Sequence, residues 1–215
     1  MPSGASGQWH RPPGQPGLEL GAAAAGLRVR HVLFFGLVPE PSCAERLRRL
    51  GQELHGRFGL GDPLRPAALL HMSLLGLGAG ARLDDSAVVR GLRIGASVRW
   101  AQFDVILEAA ISFGRGSRRP LVLACSLGAA AAVTGLRDAL RDVGEEMGLG
   151  GYRYSEFTPH LTLSYTSGPI PETVLDPPVI WRARELVLIY SAQGRGRHVH
   201  LGRWPFGAHE SLESP

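Results

Sequence analysis

Two short stretches of this chain read almost alike, and each lies in an apolar run typical of a buried strand. They are Leu70-His71-Met72-Ser73-Leu74 and Pro159-His160-Leu161-Thr162-Leu163. Because side chains alternate between the two faces of a strand, each histidine points the same way as the hydroxyl residue two places later. The apolar residues between them point into a core. Two such strands side by side would aim two imidazoles and two hydroxyls at one point.

The surrounding pattern predicts alternating strands and helices. Strands are expected over Val29–Val38, Leu69–Leu77, Phe103–Ile111, Leu121–Ser126, Phe157–Tyr165, Glu185–Ser191 and His198–Trp204, and helices over Cys43–Phe58, Asp84–Leu92 and Ala129–Met147. The order strand–helix–strand occurs up to residue 77 and again from about residue 119 to residue 165. Each histidine stretch lies on the strand after the long helix. This duplication predicts two facing lobes with a shared cleft.

Composition limits the domain organisation. With 215 residues, 44% of them hydrophobic and 20% charged, the chain can bury one sizeable core. We expect a disordered tail over 1–27, a single bilobal domain over 28–206 and a polar tail over 207–215. The two isolated cysteines, Cys43 and Cys125, favour a reducing compartment, and the chain has no pattern typical of a signal peptide or a membrane span. We expect a cytoplasmic monomer.

The charge pattern is compatible with an anionic partner. The formal net charge is +4, and all basic residues are arginines. A GC-rich genome is the simpler explanation for the use of arginine, since the sequence is also rich in Ala, Gly, Pro and Leu, but arginine is also well suited to bidentate contacts with phosphate. A charge of this size over 215 residues is mild for a protein that coats nucleic acid.

The sequence around both histidines resembles a known family. Residues 70–78 resemble the pattern L-H-x-T-L-x-F-L-G, and residues 157–163 resemble F-x-P-H-x-T-L closely. On these residues the chain resembles the 2H phosphoesterases, and within them the bacterial family named 2'-5' RNA ligase or RNA 2',3'-cyclic phosphodiesterase. Weaker matches extend the resemblance over about residues 30–206. Four positions depart from the pattern: Ser73 replaces threonine, Ser164-Tyr165 replaces A-R and so removes an arginine, and His198 replaces tyrosine.

The resemblance implies a fold and a reaction. The expected fold is α+β, with two pseudo-symmetric lobes that each consist of an antiparallel sheet with helices on its outer face. The resemblance implies His71 as the proton donor and His160 as the proton acceptor, with Ser73 and Thr162 as phosphate ligands. The sequence alone leaves open which histidine does which. The implied substrate is RNA or a nucleotide with a 2',3'-cyclic phosphate, opened to a 2'-phosphate, with reverse 2'-5' ligation and neither cofactor nor metal.

Residues near the second motif suggest further contacts. Arg153 is a candidate contact to a substrate phosphate, and Tyr154 and Phe157 are candidates for stacking on a base. A solvated loop explains Arg153 equally well, and a core position explains Phe157. The arginines of the loop that precedes the fourth predicted strand would either border the cleft or form a solvated hairpin tip; they are Arg115, Arg118 and Arg119.

Three other functions stay open at this point. His198-Val199-His200 places two imidazoles on one strand face, as in a zinc hydrolase, but no third ligand is evident. A non-catalytic RNA-binding module would keep the cleft and lose turnover. A 2H phosphodiesterase for another cyclic or 2'-5' linked nucleotide would share the same motifs.

Overall fold

A computed structural model describes residues 29–114, 118–148 and 157–207 of the protein. The predicted tail over 1–27 and residues 208–215 of the predicted polar tail lie outside the described residues. The strands are β1 (His31–Leu37), β2 (Met72–Gly80), β3 (Phe103–Ser112), β4 (Arg119–Cys125), β5 (His160–Thr166), β6 (Thr173–Ala183), β7 (Glu185–Ala192) and β8 (His198–Pro205). The α-helices are α1 (Pro41–Phe58), α2 (Asp85–Ser97) and α3 (Leu127–Glu146), and a 3-10 turn spans Ala67–Leu69.

The strands form two four-stranded antiparallel sheets. Their orders are β2-β1-β7-β8 and β5-β4-β3-β6. The units β1-α1-β2 and β4-α3-β5 occupy equivalent positions, because β2 and β5 each lie at an edge beside the first strand of their own unit. The α+β fold with two sheets and a repeated strand–helix–strand unit is therefore confirmed.

Local sequence signals set the helix ends. The side chain of Asp84 accepts a hydrogen bond from the backbone N–H of Ser86 and caps α2, and Ser126 caps α3 in the same way through Ala129. Helix α1 ends at Gly59, whose φ of 63° lies in the left-handed region that glycine enters at low cost.

The two faces of each sheet have different surroundings. Leu33 and Phe35 of β1 join a large core that contains residues of α1, α2 and α3 and of both sheets. The alternate residues Val32 and Phe34 form a separate small cluster with two residues of β7. The second sheet has an equivalent small cluster of Ala109, Ile111, Val122 and Ala124, against which Phe113 packs. Each sheet therefore has an apolar face beyond the one covered by the helices.

The two halves are interlocked. Helix α1 packs against β5 of the other sheet, and α3 packs against β2. A buried hydrogen bond of 2.9 Å between His55 Nε2 and Ser164 Oγ attaches α1 to β5. The backbone N–H of Arg65 donates to the carbonyl oxygen of Leu163 at 2.8 Å. The segment before the first motif is therefore fixed to the strand that carries the second.

The structure corrects three details of the sequence-based prediction. Strand β6 was not predicted, and it includes two consecutive prolines, which an edge strand tolerates because its outer N–H groups have no partner strand. Helix α2 continues five residues beyond Leu92, to Ser97. Neither histidine is in the middle of a strand: His71 lies immediately before β2, and His160 is the first residue of β5.

Candidate active site

The histidines of the two motifs are held by the same local hydrogen bond. His71 Nδ1 lies 2.8 Å from the carbonyl oxygen of Leu69, and His160 Nδ1 lies 2.7 Å from the carbonyl oxygen of Thr158. Because a carbonyl oxygen only accepts, Nδ1 must be the protonated nitrogen in both rings. Nε2 is therefore the nitrogen of each ring that can exchange a proton with a bound molecule.

A β-bulge follows each histidine at the same distance. Ser73 pairs with Gly36 and Leu75 with Phe35, which leaves Leu74 as the extra residue of β2. In β5 the extra residue is Leu163, between the paired residues Thr162 and Ser164. Both bulges therefore lie three residues after the motif histidine. The sequence similarity between the two stretches thus extends to their backbone irregularity, and bulges often serve to aim side chains at a site.

Aromatic rings surround the two imidazoles. The ring centroids of Phe34 and His71 are 5.0 Å apart, and those of Phe113 and His160 are also 5.0 Å apart. Both phenylalanines pack with the small apolar clusters on the second faces of the sheets. His198 of β8 lies edge-on to His71, with 4.9 Å between ring centroids. The structure therefore places three further rings around the motif histidines.

Burial and nearby positive charge keep His71 neutral. The pKa of His71 is lowered to about 3, mainly by burial, then by the charges of Arg65 and His198. His160 also lowers it, so the two motif histidines are close enough to interact electrostatically. The pKa of His198 is lowered to about 4 by burial, Arg65 and His200. At neutral pH His71 and His198 are both uncharged in the free protein.

The structure adds residues that sequence reasoning did not single out. Phe34 was noted only as part of a strand pattern, and Arg65 not at all, although it lies six residues before His71. The guanidinium of Arg65 lies 5.6 Å from the ring centroid of Tyr165, and its Nε is buried with no hydrogen-bond partner among the described residues. The one sequence signal for Arg65 is its position close to the first motif.

The structure places the other predicted site residues in different surroundings. Ser73 and Thr162 are partly exposed, and each follows a buried residue on its strand, as expected for the same face as the histidine. Phe157 packs against the large core with the guanidinium of Arg137 4.7 Å from its ring centroid, which matches the core position left open above. A stacking role for Phe157 stays a prediction. Arg115, Arg153 and Tyr154 lie outside the described residues.

The histidines of β8 do not belong to a larger set of metal ligands in the described part of the chain. His198 faces His71, whereas His200 Nδ1 lies 2.6 Å from Arg203 Nη2, which donates to it. Among residues 29–114, 118–148 and 157–207, no three His, Cys, Asp or Glu side chains come close enough to hold a metal ion. None of the helices described is long and apolar enough to cross a membrane.

Comparison with known proteins identifies what the chain is similar to. A family model described as the 2'-5' RNA ligase superfamily matches residues 38–195. The crystal structure of TT0787 of Thermus thermophilus superposes with a TM-score of 0.65 at 19% identity, covering 83% of this chain and 99% of that one. E. coli LigT complexed with 3'-AMP gives a TM-score of 0.64 at 20% identity, covering 82% and 98%. No curated protein matched. At these identities the superpositions show the fold alone.

Proposed function

Because the chain belongs to the 2'-5' RNA ligase superfamily, we propose that it hydrolyses 2',3'-cyclic phosphates of RNA ends or nucleotides to 2'-phosphomonoesters. The observation that carries this proposal is the matched pair of histidines. His71 and His160 share the hydrogen bond that fixes Nδ1 and the bulge three residues later. With Nδ1 of each imidazole fixed by a backbone carbonyl, Nε2 is the nitrogen through which each ring would transfer a proton in acid–base hydrolysis.

The proposed reaction is one displacement at phosphorus. His160 Nε2 takes a proton from water as the water oxygen attacks the phosphorus. The bond from phosphorus to O3' breaks, and His71 Nε2 gives its proton to O3'. The product keeps the phosphate on O2'. A 2'-5' linkage forms when the 5'-hydroxyl of another RNA end takes the place of water: its oxygen bonds to the phosphorus of the cyclic phosphate, the bond from phosphorus to O3' breaks, and O3' takes the proton. No cofactor or metal enters this scheme.

Hydroxyl and cationic groups would stabilise the phosphoryl oxygens. Ser73 and Thr162 lie two residues after the histidines and are partly exposed, so each hydroxyl can donate to an oxygen whose charge increases in the transition state. Arg153 is the further phosphate contact that the sequence suggested. These donors act alongside proton transfer and do not replace it.

The charge state of His71 depends on substrate. With a pKa near 3 the ring is neutral at pH 7, the form that accepts a proton. A bound phosphodiester anion favours the imidazolium and raises this pKa. The donor role that the resemblance implies for His71 therefore requires a bound phosphate. Its negative charge would offset the effect of Arg65 and His198, which lower the pKa of His71.

The test is turnover by wild type and by asparagine variants. We expect wild type to convert a 2',3'-cyclic nucleotide to the 2'-phosphate, with a loss of at least about a hundredfold in kcat for His71→Asn or His160→Asn. Both variants should still bind a 2'-phosphate product. His200→Asn is the matched control on β8, and its turnover should equal that of wild type.

Each alternative corresponds to a different outcome. If wild type binds cyclic-phosphate RNA without hydrolysing it, the chain is an RNA-binding module and the proposal fails. If it cleaves only 2'-5' linked or other cyclic nucleotides, the substrate assignment is wrong. If turnover disappears in His200→Asn and after EDTA treatment, the chain is a metal hydrolase and the proposal fails.

A further inference from the structure

Arg65, Tyr165 and Arg118 form a group beside the proposed active site that combines two cations with one aromatic ring. The guanidinium carbon of Arg65 and that of Arg118 each lie 5.6 Å from the ring centroid of Tyr165. Within the described residues, no carboxylate lies within ion-pair distance of either arginine. Two cations arranged in this way on one ring suit an anion that comes from outside the chain.

The backbone explains why the three residues meet. Arg65 is fixed to the motif strand, since its N–H donates to the carbonyl oxygen of Leu163. Tyr165 follows two residues later on β5 and is paired with Pro120 of β4. Arg118 comes directly before β4 and so reaches the same ring. Segments far apart in sequence are therefore joined through the pairing of β4 with β5.

The group extends away from the histidines. Arg65 lies close enough to His71 and His198 for its charge to act on both rings. Arg118 is exposed and shares the tyrosine ring with Arg65. Arg65 is therefore at the end nearest the reacting phosphate, and Arg118 is at the outer end. An extended ligand with regularly spaced negative charges fits this order better than a single nucleotide.

The chemistry of the side chains favours phosphates. A guanidinium that stacks on an aromatic ring keeps its N–H groups at the edge, where they can bind phosphate oxygens in pairs. The Nε of Arg65 has no hydrogen-bond partner in the described residues but is buried, so contact with a phosphate would fall to the terminal N–H groups of the guanidinium. Stacking also limits the rotamers of both arginines, so less entropy is lost when a phosphate binds.

We propose that Arg65, Tyr165 and Arg118 bind the phosphate backbone upstream of the reacting cyclic phosphate, so that the preferred substrate is an RNA end, not a cyclic mononucleotide. This inference rests on the proposed function and names the substrate class within it. Arg65 would contact the phosphates nearest the histidines, and Arg118 would contact the next nucleotide of the strand.

The experiment compares two substrates with the same terminal base: a trinucleotide that ends in a 2',3'-cyclic phosphate and the corresponding cyclic mononucleotide. We expect wild type to have the higher kcat/KM for the trinucleotide. Arg118→Gln should reduce the ratio of the two values by about tenfold, the usual effect of one charge-assisted hydrogen bond. Tyr165→Leu should also reduce the ratio, whereas Tyr165→Phe, which keeps the ring, should preserve it. Arg93→Gln, on the exposed face of α2, is the matched control.

A second measurement does not depend on turnover. Binding of a trinucleotide that ends in a 2'-phosphate should weaken with salt, and Arg118→Gln should reduce the log–log slope by about 0.7 for each phosphate that the variant no longer binds. If wild type hydrolyses the mononucleotide but the ratio and the slope are unchanged in Arg118→Gln and Tyr165→Leu, this inference is wrong and the proposed function stands. If wild type hydrolyses neither substrate, the proposed function fails, and an unchanged salt slope would overturn the inference separately.

Discussion

Replacement of His71 by asparagine should make the free energy of unfolding fall less in acid than it does in wild type. The fold holds the pKa of His71 at about 3, against 6.5 for an exposed histidine, because the ring is buried beside Arg65 and His198. The neutral ring fits the folded state, whereas the unfolded chain can protonate it. Protonation in acid therefore favours unfolding.

The sign and size of this change in the free energy of unfolding follow from the different pKa of His71 in the folded and unfolded states. Because the folded pKa is the lower one, the contribution of His71 to stability is fully present above pH 6.5 and decreases as pH falls toward 3. At pH 5 the unfolded histidine is almost fully protonated and the folded one is not, which costs about 2 kcal/mol. Below both pKa values the loss would reach about 5 kcal/mol.

Asparagine is the appropriate replacement. Its side-chain amide can donate to the carbonyl oxygen of Leu69, as His71 Nδ1 does at 2.8 Å, and it does not titrate. Urea unfolding of wild type and His71→Asn at about pH 7.5 and pH 5 gives four free energies of unfolding. The loss between the two pH values should be about 2 kcal/mol larger for wild type.

One outcome of the urea unfolding experiment would contradict this prediction. If both proteins lose the same free energy between the two pH values, His71 is not held neutral by the fold. The account of its burial and of the effect of Arg65 would then be wrong. A lower stability of the variant at both pH values would show only a packing defect, because the prediction concerns the difference between the two losses.

Three further predictions address the ligand, the metal and the packing. The affinity for a phosphodiester dinucleotide should rise as pH falls from about 7 to 5, because bound phosphate raises the pKa of His71; calorimetry would reveal a flat profile if this is wrong. Hydrolysis should survive dialysis against EDTA, and its loss would support the metal hydrolase. Gly95→Ala should lose about 1–3 kcal/mol in urea unfolding, because its Cβ would lie 2.4 Å from the ring of Trp204, whereas Gly56→Ala, with nothing within 4 Å, should lose none.

Periodicity and turn residues predicted most of the fold. The long helices and seven of the strands follow from local patterns, since the apolar spacing of an element reflects the face that it buries. Strand β6 was not predicted, because it carries Pro177-Pro178 and its apolar residues do not alternate regularly with polar ones in the sequence. It forms where β3 offers a free edge. That edge depends on sheet order, which no local pattern contains.

Local patterns predicted only part of the candidate site, because the rest depends on how distant segments pair. His71, Ser73, His160 and Thr162 were proposed as candidates because the two stretches resemble each other and a family pattern. Arg65 has no such pattern, and it reaches the site through pairing between distant segments. His198 was noticed as a departure from the family pattern and as a zinc-ligand candidate, and its edge-on contact with His71 depends on the arrangement of the first sheet.

The symmetry of the two motifs has a chemical consequence. An acid and a base that act together must be in different protonation states at one pH, so their surroundings must differ. Here the backbone treats the histidines alike, with the same Nδ1 contact and the same bulge. A phenylalanine ring also lies 5.0 Å from each imidazole, Phe34 beside His71 and Phe113 beside His160, so the difference comes from Arg65 and His198, whose charges act on His71. Because the positive charge of Arg65 lowers the pKa of His71, replacement of Arg65 by an uncharged residue should make His71 easier to protonate, without any change in the motifs.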